Sequence, residues 1–72
     1  MRERYLEKLE QLHKELLEMG LLCEKAIMKS YRLLLSEEER QGLVTRIDAL
    51  EREIDAKERM IESICMQLFL QQ

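Results

Sequence analysis

Apolar residues recur at alternating spacings of four and three along the first half of the chain. This spacing keeps side chains on one face of an α-helix, so it predicts one long amphipathic helix over about residues 3–35. Only Ser30 interrupts the apolar character of the stripe. The stripe consists of Tyr5, Leu9, Leu12, Leu16, Met19, Cys23, Ala26, Ser30 and Leu33.

A second stripe with the same spacing occupies the other half of the chain. It predicts a second helix that ends near residue 70. Lys57 is its one polar member. The stripe consists of Leu43, Ile47, Leu50, Ile54, Lys57, Ile61, Ile64 and Leu68.

The segment between the stripes, about residues 36–42, is predicted to be a turn, and two starts of the second helix fit it. Ser36 and Glu39 have the spacing of a capping box, which would begin the helix near residue 37. Alternatively, Gly42 ends the first helix as a left-handed cap and the second begins near residue 43. On one continuous helix the stripes would be ~80° out of phase. The predicted fold class is therefore all-α, a long antiparallel hairpin forming a single domain over residues 1–72.

Two helices alone cannot enclose a core, because each leaves a groove open on both sides of their contact. The first helix also carries apolar residues outside its stripe, so its apolar surface is too wide for one partner helix. We expect a second copy to cover this surface in a dimeric four-helix bundle, with helices of another protein as the alternative occupant. The extra apolar residues of the first helix are Leu6, Leu17, Leu21, Leu22, Ile27, Met28, Tyr31 and Leu35. The predicted core of the dimer consists of Leu9, Leu12, Leu16, Met19, Cys23, Ile47, Leu50, Ile54, Ile61, Ile64 and Leu68.

Composition narrows the classes of function. The chain has 72 residues, of which 38% are charged, and it contains no proline, which is typical of long charged helices. Its net charge of −3 argues against a general attraction to nucleic acid or anionic lipid. No apolar run approaches the ~20 residues of a spanning helix, so we expect no membrane insertion and a cytoplasmic location.

Residue types suited to catalysis are few. His13 is the one histidine, Cys23 and Cys65 are the only cysteines, and no glycine-rich phosphate loop is present. In the predicted hairpin the two cysteines lie ~18 Å apart, too far for a disulfide. The sequence therefore predicts a non-enzymatic protein with free thiols and no cofactor.

An acidic stripe runs along one edge of the second helix. Like charges at these spacings repel, so the stripe needs neighbouring positive charge. One interpretation is a solvated edge balanced by Arg52, Lys57 and Arg59. The other is a site for a divalent or iron cation, held by Glu51 and Asp55 with Glu24 from the first helix. The acidic residues are Asp48, Glu51, Asp55, Glu58 and Glu62.

Two strings of residues resemble the PhoU family of phosphate-uptake regulators. One string is Glu51-x-x-Ile54-Asp55-x-x-Glu58-x-x-Ile61-Glu62-x-x-Cys65, and the other is Met19-Gly20-x-x-Cys23-Glu24-x-Ala26. The resemblance covers nearly the whole chain and corresponds to the first two helices of one repeat of the family. A family repeat has three helices and normally occurs twice, whereas this chain ends where the third helix would begin.

The resemblance implies an antiparallel helical bundle that modulates phosphate transport and its two-component signalling without enzymatic activity. The partner would then be a component of a phosphate transporter or a sensor kinase. Family members also resemble one another in acid-x-x-x-Asp motifs that can hold iron or other metals, and Glu51-x-x-x-Asp55 matches that motif. Two other hypotheses remain, namely a carboxylate metal-binding module and a generic coiled-coil interaction segment.

Overall fold

The computed structural model describes residues 2–71, which form two long helices connected by a short turn. Helix α1 spans Arg2–Leu35 and helix α2 spans Arg40–Gln71. Residues about 40 positions apart in sequence, such as Glu15 and Lys57, are in direct contact, so the helices run antiparallel. The predicted all-α hairpin is confirmed, whereas its dimerisation stays a prediction.

The turn is shorter than predicted, and α2 begins between the two expected starts. The Leu43 amide donates to the Glu39 carbonyl at 3.0 Å, which is the first α-helical bond of α2. Gly42 already lies inside the helix and has no positive φ, so its predicted role as a left-handed cap is wrong. An ion pair of 3.2 Å joins Arg32 to Glu39 across the turn, but both side chains are exposed, so it contributes little.

Helix α2 presents its predicted stripe to α1. The four buried apolar residues of the described chain all belong to this stripe, and the rest of the stripe is half-buried. Their burial is the main source of the hairpin's stability, because each removes a large apolar side chain from water. The buried residues are Leu43, Leu50, Ile64 and Leu68.

Helix α1 contacts α2 through a face that differs from the predicted stripe. At every second position of the stripe, the residue directly before the predicted one faces α2. Leu9 and Leu16 are 39% and 50% exposed, so they do not pack against α2 within one chain, and their burial in the core of a dimer stays a prediction. Lys8 and Glu15 take their places, and Leu22 joins the half-buried Cys23. The contact face of α1 consists of Tyr5, Lys8, Leu12, Glu15, Glu18, Met19, Leu22, Cys23, Ala26, Lys29 and Leu33.

The hairpin is a thin rod with a large exposed surface. Its Cα atoms extend over 55 × 14 × 12 Å and have a radius of gyration of 16.4 Å, where a compact chain of this length would have about 11 Å. Its accessible surface is 6096 Å². A compact protein of the same mass would expose about 4,700 Å². The single chain therefore leaves about 1,400 Å² more surface in water than a compact protein does.

The contact between the helices predicts that two nearby apolar residues of α2 contribute very different amounts to the free energy of unfolding. Ile64 is 3% exposed, so Ile64→Ala should lower the free energy of unfolding by about 2–5 kcal/mol. Met66 lies two residues further along and is exposed, so Met66→Ala should change it by less than about 0.5 kcal/mol. Urea denaturation of both variants checks this. Equal effects would show that the helices contact each other through a different face.

Candidate functional site

A polar cluster lies within the contact between the helices, near the middle of the rod. The Lys57 ammonium group donates a hydrogen bond of 2.6 Å to the Glu15 carboxylate and a second one to the Glu18 carboxylate. The side chains of Lys57 and Glu15 are only 19% and 10% exposed. Lys57 interrupts the apolar stripe of α2, and the two glutamates stand one turn apart on α1, so each charge has a partner.

The cluster shifts the pKa of two of its members. Hydrogen bonding from Lys57 lowers the pKa of Glu18, and the positive charge of Lys57 adds to this against the effect of desolvation. The hydrogen bonds to Glu15 and then to Glu18 raise the pKa of Lys57. Both shifts favour the charged forms, so the cluster is an ion-paired structural contact near neutral pH. The lysine is therefore held with its proton.

The three residues predicted to bind a metal do not converge. Glu51 and Asp55 lie on an exposed edge of α2. Glu24 follows the half-buried Leu22 by two residues, which places it about 200° around α1 and on the side away from α2. Within residues 2–71, no group of three or more His, Cys, Asp or Glu side chains is positioned to hold a metal ion. The hairpin therefore does not bring these three residues together as a cation site within one chain.

The side of α1 that faces away from α2 carries a second apolar stripe, here called the back stripe. Its members alternate at spacings of four and three, and each follows a contact residue of α1 by two positions, which is why they lie on the opposite face. Glu24 is its only charged member, and its apolar members are all more than half exposed. The back stripe consists of Leu17, Leu21, Glu24, Met28, Tyr31 and Leu35.

A second exposed apolar area lies at the open end of the hairpin, where the start of α1 meets the end of α2. A shallow hollow on α2 is formed there by Ile61, Glu62, Cys65, Met66 and Phe69. Both cysteines are free, Cys65 being exposed and Cys23 half-buried. This area and the back stripe are two surfaces on which the hairpin can bury apolar side chains against another helix.

The polar cluster is the feature that the sequence pattern did not reveal. The sequence identifies Lys57 as the one polar residue in the stripe of α2, but spacings of four within α2 do not identify its partners, because these lie on α1. The signal that could have identified them is Glu15. It directly precedes Leu16 and is also spaced three and four residues from other members of the α1 stripe, as a residue facing the partner helix would be. A buried lysine requires a carboxylate from the facing helix, and Glu15 and Glu18 are the ones within reach.

No protein-family model matches the chain, and no curated protein or solved structure matches it significantly. The resemblance to the PhoU family therefore stays a prediction. Neither α1 nor α2 contains a stretch long and apolar enough to cross a membrane.

The pKa shifts predict how the cluster makes stability depend on pH. Because folding lowers the pKa of Glu18, its ion pair stabilises the folded protein at pH values above the unfolded pKa of about 4.3. This stabilisation is lost as pH falls through the pKa that Glu18 has in the folded protein. The raised pKa of Lys57 gives stability that is present below about 10.4 and is lost as pH rises further. The melting temperature of Lys57→Met should therefore lie furthest below wild type between about pH 5 and 9.

The control for this prediction is Arg59→Met, which removes an exposed positive charge two residues further along α2. Its melting temperature should differ little from wild type across the same pH range, because exposed charges contribute little. Thermal unfolding followed by circular dichroism measures both variants. If Lys57→Met followed the wild-type curve at every pH, the cluster would have no energetic role.

Proposed function

We propose that this chain is a small helical regulatory or adaptor protein that acts through helix-to-helix contacts and assembles first with a second copy of itself. The observation that carries the proposal is that α1 is apolar on two opposite faces while α2 covers only one. A helix with apolar residues on both faces is stable in water only when both are covered.

The amount of uncovered surface supports this proposal. The hairpin exposes about 1,400 Å² more than a compact protein of its mass, and a standard protein interface removes about 800 Å² from each partner. One interface of ordinary size would therefore remove a little more than half of this excess surface. Helical hairpins commonly achieve this by pairing into four helices.

We propose phosphate uptake as the process that the assembly regulates, with a phosphate transporter component or a sensor kinase as its further partner. The support is the resemblance of Glu51, Ile54, Asp55 and Glu58 to the PhoU string. Three of these residues, the carboxylates, lie exposed on α2 and are accessible to a partner. This edge is separate from the back stripe, so a dimer formed through α1 can still present it.

The proposed assembly predicts the mass of the protein in solution. At micromolar concentration, equilibrium sedimentation should give twice the chain mass of 8.7 kDa. Dilution should lower the helical signal in circular dichroism together with the mass, because folding of a chain this small is stabilised by the partner. A fully helical monomer that keeps its melting temperature on dilution would contradict the proposal.

The proposed process predicts a phenotype in the cells that make the protein. Deleting the gene should change the rate of uptake of labelled phosphate, and restoring the wild-type chain should reverse the change. A chain with Glu51→Gln and Asp55→Asn should fold as wild type does, because both positions are exposed, but should restore uptake poorly. Unchanged uptake in the deletion strain would contradict the link to phosphate and leave the proposed assembly intact.

A further inference from the structure

Only one of the two helices has a second apolar stripe. The face of α2 that points away from α1 carries small and polar residues along most of its length, and its only large apolar residues lie at the C-terminal end. The residues of this face are Thr45, Ala49, Arg52, Ala56, Arg59, Ser63, Met66 and Leu70. The corresponding face of α1 is the back stripe, in which Leu17, Leu21, Met28, Tyr31 and Leu35 are 55–69% exposed. The outer face of α1 is therefore the one that offers large apolar side chains to a partner helix over a long stretch, from residue 17 to residue 35.

Charge along the back stripe decides the direction of a second copy. In a parallel pair each residue meets its own copy, so Glu24 would lie beside a second Glu24 in the middle of the contact. In an antiparallel pair Leu17 meets Leu35, Leu21 meets Tyr31 and Glu24 meets Met28. Glu24 and Lys25 of both copies then lie around the two-fold axis, so each Glu24 has a lysine of the other copy nearby and the second Glu24 is one turn away.

The antiparallel register also accounts for two exposed residues beside the back stripe. Leu34 is the most exposed large apolar residue of the described chain, at 84%. Gly20 has nothing within 4 Å of the position that a Cβ would occupy, so nothing inside the chain requires a glycine in mid-helix, where it is unfavourable. In the antiparallel register the two-fold axis lies at the level of residue 26. Residues that flank the stripe meet with a small offset along the axis, so Leu34 of one copy lies beside Gly20 of the other, and the two Ile27 side chains meet next to the two-fold axis.

We infer that two copies of the chain pair antiparallel through the back stripes of their α1 helices, with Leu34 of each packed beside Gly20 of the other. The inference rests on the proposed self-assembly and specifies its interface. The contact extends from residue 17 to residue 35, about 27 Å along the helix. The acidic edge of α2 is left outside.

The first test removes the one charge in the back stripe. Glu24→Leu should lower the dissociation constant of the dimer by on the order of tenfold, because desolvating the carboxylate costs more than its contact with Lys25 of the other copy returns. The matched control is Glu10→Leu, an exposed glutamate two heptads earlier on the same face, which lies beyond the end of the partner's α1 in the antiparallel register. Its dissociation constant should equal the wild-type value.

The second test reads the direction of the pair. Leu17→Cys and Leu35→Cys chains, each also carrying Cys23→Ala and Cys65→Ala, are made at distinguishable isotopic masses, mixed and oxidised under mild conditions. The inference predicts disulfides that join a Leu17→Cys chain to a Leu35→Cys chain. Disulfides mainly between identical chains would show a parallel pair and overturn the inference.

The two tests separate failure of the interface from failure of self-assembly. A dimer that persists while Glu24→Leu and Glu10→Leu behave alike, and that forms no disulfide at these positions, would lie on another face, such as the open end of the hairpin. The inference would then be wrong and the proposed self-assembly correct. A folded monomer in sedimentation would overturn both.

Discussion

The ion pairs of Lys57 with Glu15 and Glu18 determine how the two helices face each other. A lysine within the contact between helices must be paired, because leaving its charge without a partner in a poorly solvated place is costly. Glu15 supplies the partner only when α1 turns it toward α2. That rotation carries the adjacent Leu16, and with it Leu9, out of the contact and into solvent.

The consequence is a hairpin that holds its shape with few buried apolar side chains and exposes many others. Its interior consists of four buried residues of α2 against a half-buried face of α1. The apolar residues that would enlarge this interior lie instead on the outer faces of α1 and at the open end. The exposed apolar surface thus follows from the same contact that aligns the helices, and it is the observation on which the function we propose rests.

The extent to which the sequence predicted this structure differs between the two helices. The stripe of α2 was predicted in full, because one set of positions carries nearly all its apolar residues. Two possible stripes on α1 share five residues. One stripe is completed by Leu9 and Leu16, and the other by Lys8 and Glu15. The shared residues are Tyr5, Leu12, Met19, Ala26 and Leu33. Hydrophobicity favours the first, whereas pairing of Lys57 selects the second, and a pattern within one helix does not contain that information.

The predicted cation site and the turn depended on the same missing information. Rotation of α1 places Glu24 on the side away from α2, so it does not approach Glu51 and Asp55. The start of α2 at Arg40 lies between two local capping patterns that were equally plausible by spacing. Local patterns predicted the helices and their lengths, but the rotation of one helix against the other is set by a contact between residues 42 positions apart.

The most direct test of the account is an isotope-filtered nuclear Overhauser experiment on a mixture of labelled and unlabelled chains, which detects only contacts between copies. The account predicts cross-peaks from the methyl groups of Leu34 to the α-protons of Gly20 and between the Ile27 side chains of the two copies. If the spectrum of the associated protein contained intermolecular cross-peaks only from α2, or if the chain tumbled as a monomer at the same concentration, the back of α1 would face solvent and the account would be wrong.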